Sequence, residues 1–326
     1  MSTEHSLNLH LAVTTGPVDA TFLRHATAVL MAAESEDGKP PVSEQSIISL
    51  RTGGSEQQTV RTVSAYVGEE ATLAGFAVVI EDPNEDDSHA GLLELAVHPN
   101  YRGMGVARRL IAEVAANRES GLRGLSAWAH ASHNTAAELA KEFGFVPVRE
   151  LWRMRLDAAS ASSTQSAPLA EGVSIRAFIP GHDEESWLAA NRAAFAHHPE
   201  QGNMTQADLA ERTAEDWFDP AGFLLAVNAE NELLGFHWTK VHASTAGQEP
   251  LGEVYVVGVT PQAQGMGLGR ALTAAGIRYL SQRGIATIML YVDADNTAAV
   301  ALYQKLGFTR WDMDVMYRQK AEIQGA

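Results

Sequence analysis

"QAQGMGLGRALT" runs from Gln262 to Thr273, separated by Thr260 and Pro261 from the apolar run "VYVVGV" of Val254 to Val259. A strand that ends in a turn with Gly265, Gly267 and Gly269, and then opens a helix, brings backbone N–H groups and a helix N-terminus to one point. That is how an anion site for a phosphate or pyrophosphate is built. Glycine suits the turn because a Cβ would block close approach, and because positive φ is inexpensive only for glycine. No GK[ST] follows, so this is not the phosphate loop of a nucleoside triphosphatase. The turn does not follow the first strand of a βαβ unit, which argues against a dinucleotide fold. Gly258, in the middle of the preceding run, predicts a bulged or splayed strand.

The turn occurs twice. "NYRGMGVARRLI" (Asn100–Ile111) repeats it at a constant offset of 162, pairing Gly103 with Gly265, Met104 with Met266 and Gly105 with Gly267. The same offset pairs Val97 with Val259, Arg108 with Arg270, and the "NTAA" of Asn134–Ala137 with that of Asn296–Ala299. Upstream, "LAGFAVV" (Leu73–Val79) echoes "LLGFHWT" (Leu233–Thr239). The period is too long for a solenoid and implies two copies of one fold. In each copy an N-terminal helical segment precedes strands, then come the glycine turn, an amphipathic helix, a strand, a helix and a last strand. Leu268, Leu272 and Ala275 mark the helix after the turn in the second copy; Val106, Leu110 and Val114 mark it in the first. The expected class is mixed α/β with two tandem domains, residues 1–156 and 173–326, joined by the Ser-, Ala- and Pro-rich linker 157–172.

Composition narrows the partners. The chain has 326 residues, a net charge of −16 and no cysteine. That charge repels a nucleic-acid backbone. Lack of cysteine excludes disulfides, thiolate metal sites and an acyl–cysteine intermediate. Twelve histidines form no H-E-x-x-H or similar spacing, so no metal is expected; His197 and His198 read as shaping a loop. The first residues lack the pattern of a signal peptide, and no apolar run reaches the ~18 residues of a membrane span. The expectation is a cytoplasmic, monomeric protein with no membrane partner. Trp217, Trp238 and Trp311 read as core or pocket wall.

The glycine turns resemble the [Q/R]-x-x-G-x-[G/A] acetyl-CoA motif of the GNAT N-acetyltransferases: Gln264, Gly265, Met266, Gly267, Leu268 and Gly269 in one copy, and Arg102, Gly103, Met104, Gly105, Val106 and Ala107 in the other. The resemblance implies a central mixed sheet with a splayed strand flanked by helices, and acetyl-CoA as co-substrate, with room for two per chain. It implies that loop amides hold the CoA pyrophosphate, together with Arg108 and Arg270. The pantetheine arm then lies along Leu95, Ala96 and Val97 or Val257, Gly258 and Val259, as an added strand would. It also brings in the helix start Asn296, Thr297, Ala298, Ala299, Val300 and Ala301. Arg102, Arg108 and Arg109 could favour a CoA phosphate or form a solvated basic face.

The segments "PPVSEQ", "FAHHPEQG", "WFDPAGFLLA", "LLGFHWTKVH" and "LGEVYVVGVTP" are similar to a narrower, tandem branch of that superfamily in actinobacteria. Its acceptor is a pseudo-disaccharide amine, a cysteine amide-linked to glucosamine that is joined to inositol. Carried over segment by segment, the acceptor contacts are Glu44, Glu200, Lys240, Glu253 and Tyr291. The family base falls on Glu253 and the acid that protonates the departing thiolate on Tyr303. Read without the resemblance, Glu253 is a strand-start carboxylate and Tyr303 could simply pack on an amphipathic helix.

At an offset of 162, Glu253 falls on Gly91 and Tyr303 on Lys141, or on Ala140 where a one-residue gap is placed before it, so the first copy lacks both groups. Its nearby acid, Glu94, falls on Val256, and three residues along a regular strand reverses the face. Glu94 is therefore expected to point the other way, and the second copy to be the enzyme. Two other readings fit the same motif: acetylation of another small amine or a protein N-terminus, and a non-catalytic acetyl-CoA-binding regulator.

Overall fold

A computed structural model of the chain describes residues 8–55, 57–68, 70–81, 91–130, 134–158, 169–196, 199–243 and 249–319. In chain order, the first repeat contains β1 (Leu9–Thr15), α1 (Ala20–Asp37), α2 (Glu44–Thr52), β2 (Thr59–Val67), β3 (Thr72–Glu81), β4 (Gly91–Val97), α3 (Val106–Ala116), β5 (Leu125–Ala129), α4 (Asn134–Glu142) and β6 (Phe145–Asp157). The second contains β7 (Ser174–Ala177), α5 (Glu184–Ala194), α6 (Pro199–Gly202), α7 (Gln206–Thr213), β8 (Phe223–Val227), β9 (Leu233–His242), β10 (Leu251–Val259), α8 (Leu268–Gln282), β11 (Thr287–Asp293), α9 (Thr297–Lys305) and β12 (Thr309–Gln319).

The chain forms two compact units, 1–151 with 312–326, and 152–311. These bounds differ from the expected domains at both ends. From Asp312 onward β12 belongs to unit 1, where it pairs antiparallel with β5, Val315 opposite Ala129. From Trp152 onward β6 belongs to unit 2, where Met154 and Leu156 join Ile288, Leu290 and Phe308 in one core cluster. Strand partners are chosen by packing rather than by repeat membership, so a repeat found by offset does not fix a strand's unit. Most of the expected linker, 159–168, lies outside the described residues.

Within unit 1, β1 to β4 form an antiparallel run, and β5 then pairs parallel with β4. Within unit 2, β7 to β10 are antiparallel and β11 pairs parallel with β10. Both parallel ladders are short. β4 and β5 pair from Gly91–Leu125 to Leu93–Ala127, and β10 and β11 from Leu251–Thr287 to Glu253–Met289. The strands run on past these pairs, β10 to Val259 and β11 to Asp293, leaving the backbone edge of Leu95–Val97 or Val257–Val259 beyond the last pair of its ladder. This is the splay expected from the sequence.

Each sheet buries two layers. In unit 2, Val254, Ile277, Leu280, Ile288, Val300 and Tyr303 form the layer of α8 and α9. Trp187, Leu209, Phe223, Phe236, Trp238 and Val256 form the layer of α5 and α7. Trp187 and Trp238 are fully buried, with ring centroids 5.7 Å apart at 90°. Trp238→Ala is expected to destabilise the protein by about 3–5 kcal/mol through lost transfer energy and the cavity left behind; urea denaturation of the two proteins measures it. Trp311, expected in a core or pocket wall, is 40% exposed and carries the Arg153 guanidinium 4.0 Å above its ring. Its strand turns it outward.

Candidate active site

The two glycine turns are built alike. In each, a 3₁₀ turn (Pro99–Tyr101 or Pro261–Ala263) leads to two glycines with positive φ: 72° and 79° at Gly103 and Gly105, 83° and 75° at Gly265 and Gly267. The second glycine is the N-cap of the following helix, and no side chain caps either end. The first-turn amides of α3 and α8 are therefore not taken by a capping side chain, and a Cβ on any of these four glycines would enter open space. That is the shape of a cradle a ligand would fill, and it fits a pyrophosphate. Gly269 differs: it lies inside α8 at ordinary distance from Leu302, which explains why Ala107 serves at the matching position.

In unit 1 the turn opens on a cavity of about 510 Å³ that runs along Leu95, Ala96 and Val97 to Trp128, His130 and Lys39. The basic side chains at its rim are engaged. Arg102 donates to both carboxylate oxygens of Asp37 at 2.8 and 2.7 Å, and Arg108 to those of Glu142 at 2.7 and 2.9 Å.

Register in unit 2 places the catalytic candidates. Gly252, with a Cβ position against Leu280 and Ile285, and Val254, in the cluster with Ile277, both face α8. Glu253 between them faces the other way, toward the layer of α5 and α7. A bulge follows: Val254 stands opposite Thr239 and Val256 opposite Trp238, with Tyr255 between them unpaired. Tyr255 and Val256 consequently pack in the same layer. The bulge lies at Tyr255; Gly258, expected in a bulged or splayed strand, is in register opposite Phe236 on the stretch of β10 that has parted from β11, and its missing Cβ leaves room for that ring.

The bulge also corrects the repeat alignment. β4 has no bulge, and Ile80 stands opposite Leu92 as Lys240 stands opposite Glu253. Leu92, not Gly91, is the counterpart of Glu253, and the first copy still lacks a carboxylate there. Glu94, however, faces α2 in the layer of the N-terminal helices, as Glu253 faces α5 and α7. The extra residue in β10 cancels the expected reversal.

Glu94 is 1% exposed and belongs to a buried ionic cluster. It accepts hydrogen bonds from Ser43 Oγ at 2.8 Å and from the Ser46 hydroxyl, and meets His130 Nε2 at 3.3 Å. His130 Nδ1 lies 3.2 Å from Asp314, and Lys39 pairs with Asp314 and, at 2.8 Å, with Asp312. Burial alone would lower the His130 pKa, but its contacts with Asp314 and Glu94 outweigh that and raise it to about 9. Burial pushes the Glu94 carboxyl up, and its hydrogen bonds from His130, Ser46 and Ser43 bring it below its usual value. With both ring nitrogens held by carboxylates, His130 is a structural cation, unsuited to act as a base. Because its folded pKa lies above the ordinary 6.5, its contribution is fully present below pH 6.5 and is lost as pH rises through about 9. Thermal melts are expected to lose roughly 1–3 kcal/mol of stability across that window. His130→Gln should flatten the loss; an unchanged slope would remove His130 as its source.

Of the expected acceptor residues, the structure gathers Glu253, Lys240 and Tyr291 on one face of the unit 2 sheet. Glu253 is the register partner of both Lys240 and Met289, and Tyr291, two residues beyond Met289, is 39% exposed. The Lys240 ammonium lies 4.7 Å from the Trp217 ring centre and 5.4 Å from that of Tyr255, whose hydroxyl accepts from Arg212 at 3.1 Å. Glu200 lies in α6. Glu44 is an exposed residue at the first turn of α2, in unit 1. His197 and His198 lie outside the described residues.

Tyr303 sits on α9 in the opposite layer, 6% exposed and edge-on to Phe308 at 5.8 Å. Burial pushes its pKa up to about 12. The Asn296 side chain accepts from the Ala299 amide at 3.1 Å, so the repeated "NTAA" is a helix cap in this copy. His242 was missed in the sequence, although it lies two residues past Lys240 on the same strand and therefore on the same face. Among the described residues no group of three or more metal-ligating side chains occurs, and no helix is long and apolar enough to cross a membrane.

Comparison with known proteins supplies the remaining finding. The model of the acetyltransferase (GNAT) family matches residues 30–145 and 187–308. The chain is 56% identical over 327 residues to the mycothiol acetyltransferase of Arthrobacter sp. (strain FB24), covering 98% of this chain and 99% of that one. It is 50% identical to the enzyme of that name from Streptomyces avermitilis, over 90% of each chain. Among solved structures, a tandem GNAT protein from the clavulanic acid biosynthesis pathway matches with a TM-score of 0.68 at 18% identity, over 94% of this chain and 98% of that one. A GCN5-related N-acetyltransferase from Sphaerobacter thermophilus gives 0.64 at 24% identity, over 94% of each.

Proposed function

We propose a reaction for this chain on one premise: it belongs to the GNAT family of acetyltransferases and, within it, to the mycothiol acetyltransferases. It is an acetyl-transfer enzyme. The acceptor is the cysteine amino group of cysteinyl-glucosaminyl-inositol, the products are mycothiol and CoA, and transfer is direct within a ternary complex in the cytoplasm. The observation that carries the assignment to unit 2 is the position of Glu253. It is buried at the last paired residue before β10 and β11 part, on the face that also holds Lys240 and Tyr291.

An α-amine with pKa ~7.7–8 is largely protonated at neutral pH and must lose a proton before it attacks a thioester. Glu253 takes that proton. Tyr303 approaches from the opposite layer, and its raised pKa keeps the hydroxyl proton available for the departing sulfur. Base and acid on opposite sides of the gap suit a carbonyl attacked from one side while its thiolate leaves by the other. Gln264 to Gly269, with Arg270, would hold the pyrophosphate and phosphates, and the open edge of Val257–Val259 the pantetheine arm. Unit 1, whose like turn opens on its own cavity but which has Leu92 at the position of Glu253, would hold a second acetyl-CoA without turnover.

Two results are expected. Tyr303→Phe should lower kcat about 10- to 100-fold with acetyl-CoA affinity unchanged; an unchanged kcat would leave Tyr303 as a packing residue. Protein incubated with acetyl-CoA alone should carry no stoichiometric acetyl adduct by intact mass, and a stable acetyl-enzyme would contradict direct transfer.

A further inference from the structure

Glu253 has a partner on its face of the sheet. In the antiparallel pair of β9 and β10, His242 stands opposite Leu251 and Lys240 opposite Glu253. His242 and Glu253 are thus diagonal neighbours that share a face. His242 Nε2 lies 2.6 Å from Glu253 Oε2. Lys240, the direct neighbour in register, is laid over the Trp217 and Tyr255 rings. An ionised carboxylate only accepts hydrogen bonds, so Nε2 carries the hydrogen and donates it. The Glu253 side chain is 11% exposed and that of His242 38%, so the ring connects a buried carboxylate to solvent.

We propose that His242 is a positioning residue for acetyl transfer, which holds Oε2 of Glu253 and leaves Oε1 to take the proton of the acceptor's ammonium group. The proposal rests on Glu253 being the base. It has a consequence for pH dependence. A second proton, on Nδ1, places a full positive charge beside the carboxylate, which weakens it as a base and repels the acceptor's ammonium. Among the described residues, the other charged or titratable groups on this face of the strands are Lys240 on β9, Tyr255 on β10 with Arg212 of α7 at its hydroxyl, and Tyr291 and Asp293 on β11. All are unchanged in the variants below.

His242→Gln keeps a donor that does not titrate, whereas His242→Leu removes donor and charge together. The experiment measures kcat/KM from pH 5.5 to 8.5 with acetyl-CoA and cysteinyl-glucosaminyl-inositol, alongside Glu253→Gln. The acceptor's own titration is common to all the enzymes and cancels in each variant-to-wild-type ratio. At pH 8, His242→Gln is expected within about threefold of wild type, and His242→Leu about 10- to 100-fold lower, the worth of one hydrogen bond to a charged group. The ratio of His242→Gln to wild type should rise at least about fivefold between pH 8 and 5.5, where histidine ordinarily titrates. A flat ratio, or equal impairment of both variants at every pH, overturns the proposal. Thermal melts and acetyl-CoA binding establish that each variant is folded. If Glu253→Gln is inactive while both histidine variants follow wild type, His242 alone is misassigned. If Glu253→Gln is fully active, the base itself is misassigned and His242 has no base to position.

Discussion

Glu253→Gln lowers kcat/KM at pH 7 by about 10²–10⁴-fold, the usual worth of a positioned base, with acetyl-CoA affinity unchanged. The substitution keeps the shape of the side chain and an oxygen that can accept from His242, and removes the negative charge and basicity of the carboxylate. Because the missing function is removal of the ammonium proton, the loss should shrink at high pH, where the free amine is abundant. Steady-state rates from pH 6.5 to 9.5 measure both effects. A Glu253→Gln enzyme that matches wild type at pH 7 removes Glu253 from the mechanism.

Gly267→Glu abolishes turnover, whereas Gly105→Glu removes one acetyl-CoA site and largely preserves kcat. Both glycines have positive φ, 75° and 79°, and both serve as uncapped N-caps, so the local damage is the same. Each glutamate is held in a left-handed conformation at a cost of about 1–2 kcal/mol and puts a carboxylate where a pyrophosphate would lie. Only the consequence differs, because only unit 2 carries the proposed base, Glu253, where its β10 and β11 part. Calorimetry of acetyl-CoA binding alongside kinetics separates the two. If Gly105→Glu kills catalysis in a folded protein and Gly267→Glu spares it, the roles of the units are reversed.

The glycine turns were legible because positive φ imposes a demand on residue type that survives in sequence, and the offset of 162 made the repeat visible without any structure. Glu253 was legible as a lone carboxylate in an otherwise apolar strand. The Tyr255 bulge was not, since a bulge is defined by the partner strand, and a tyrosine in a run of valines carries no mark of being unpaired. That single extra residue misdirected the reading of Glu94 and shifted the counterpart of Glu253 from Gly91 to Leu92. The placement of β6 and β12 was hidden for a related reason: which edge a strand completes depends on contacts far away in the chain. His242 could have been found, because alternation along β9 puts Phe236, Trp238, Lys240 and His242 on one face with Glu253.

The most direct measurement is to incubate the chain with acetyl-CoA and cysteinyl-glucosaminyl-inositol and follow the acceptor by mass spectrometry, with release of CoA thiol measured in parallel. The expected result is one acetyl group on the cysteine nitrogen for each CoA released, with Glu253→Gln slow and Gly267→Glu silent. CoA released without an acetylated acceptor, or no reaction at all by folded protein that binds acetyl-CoA, would contradict the assignment.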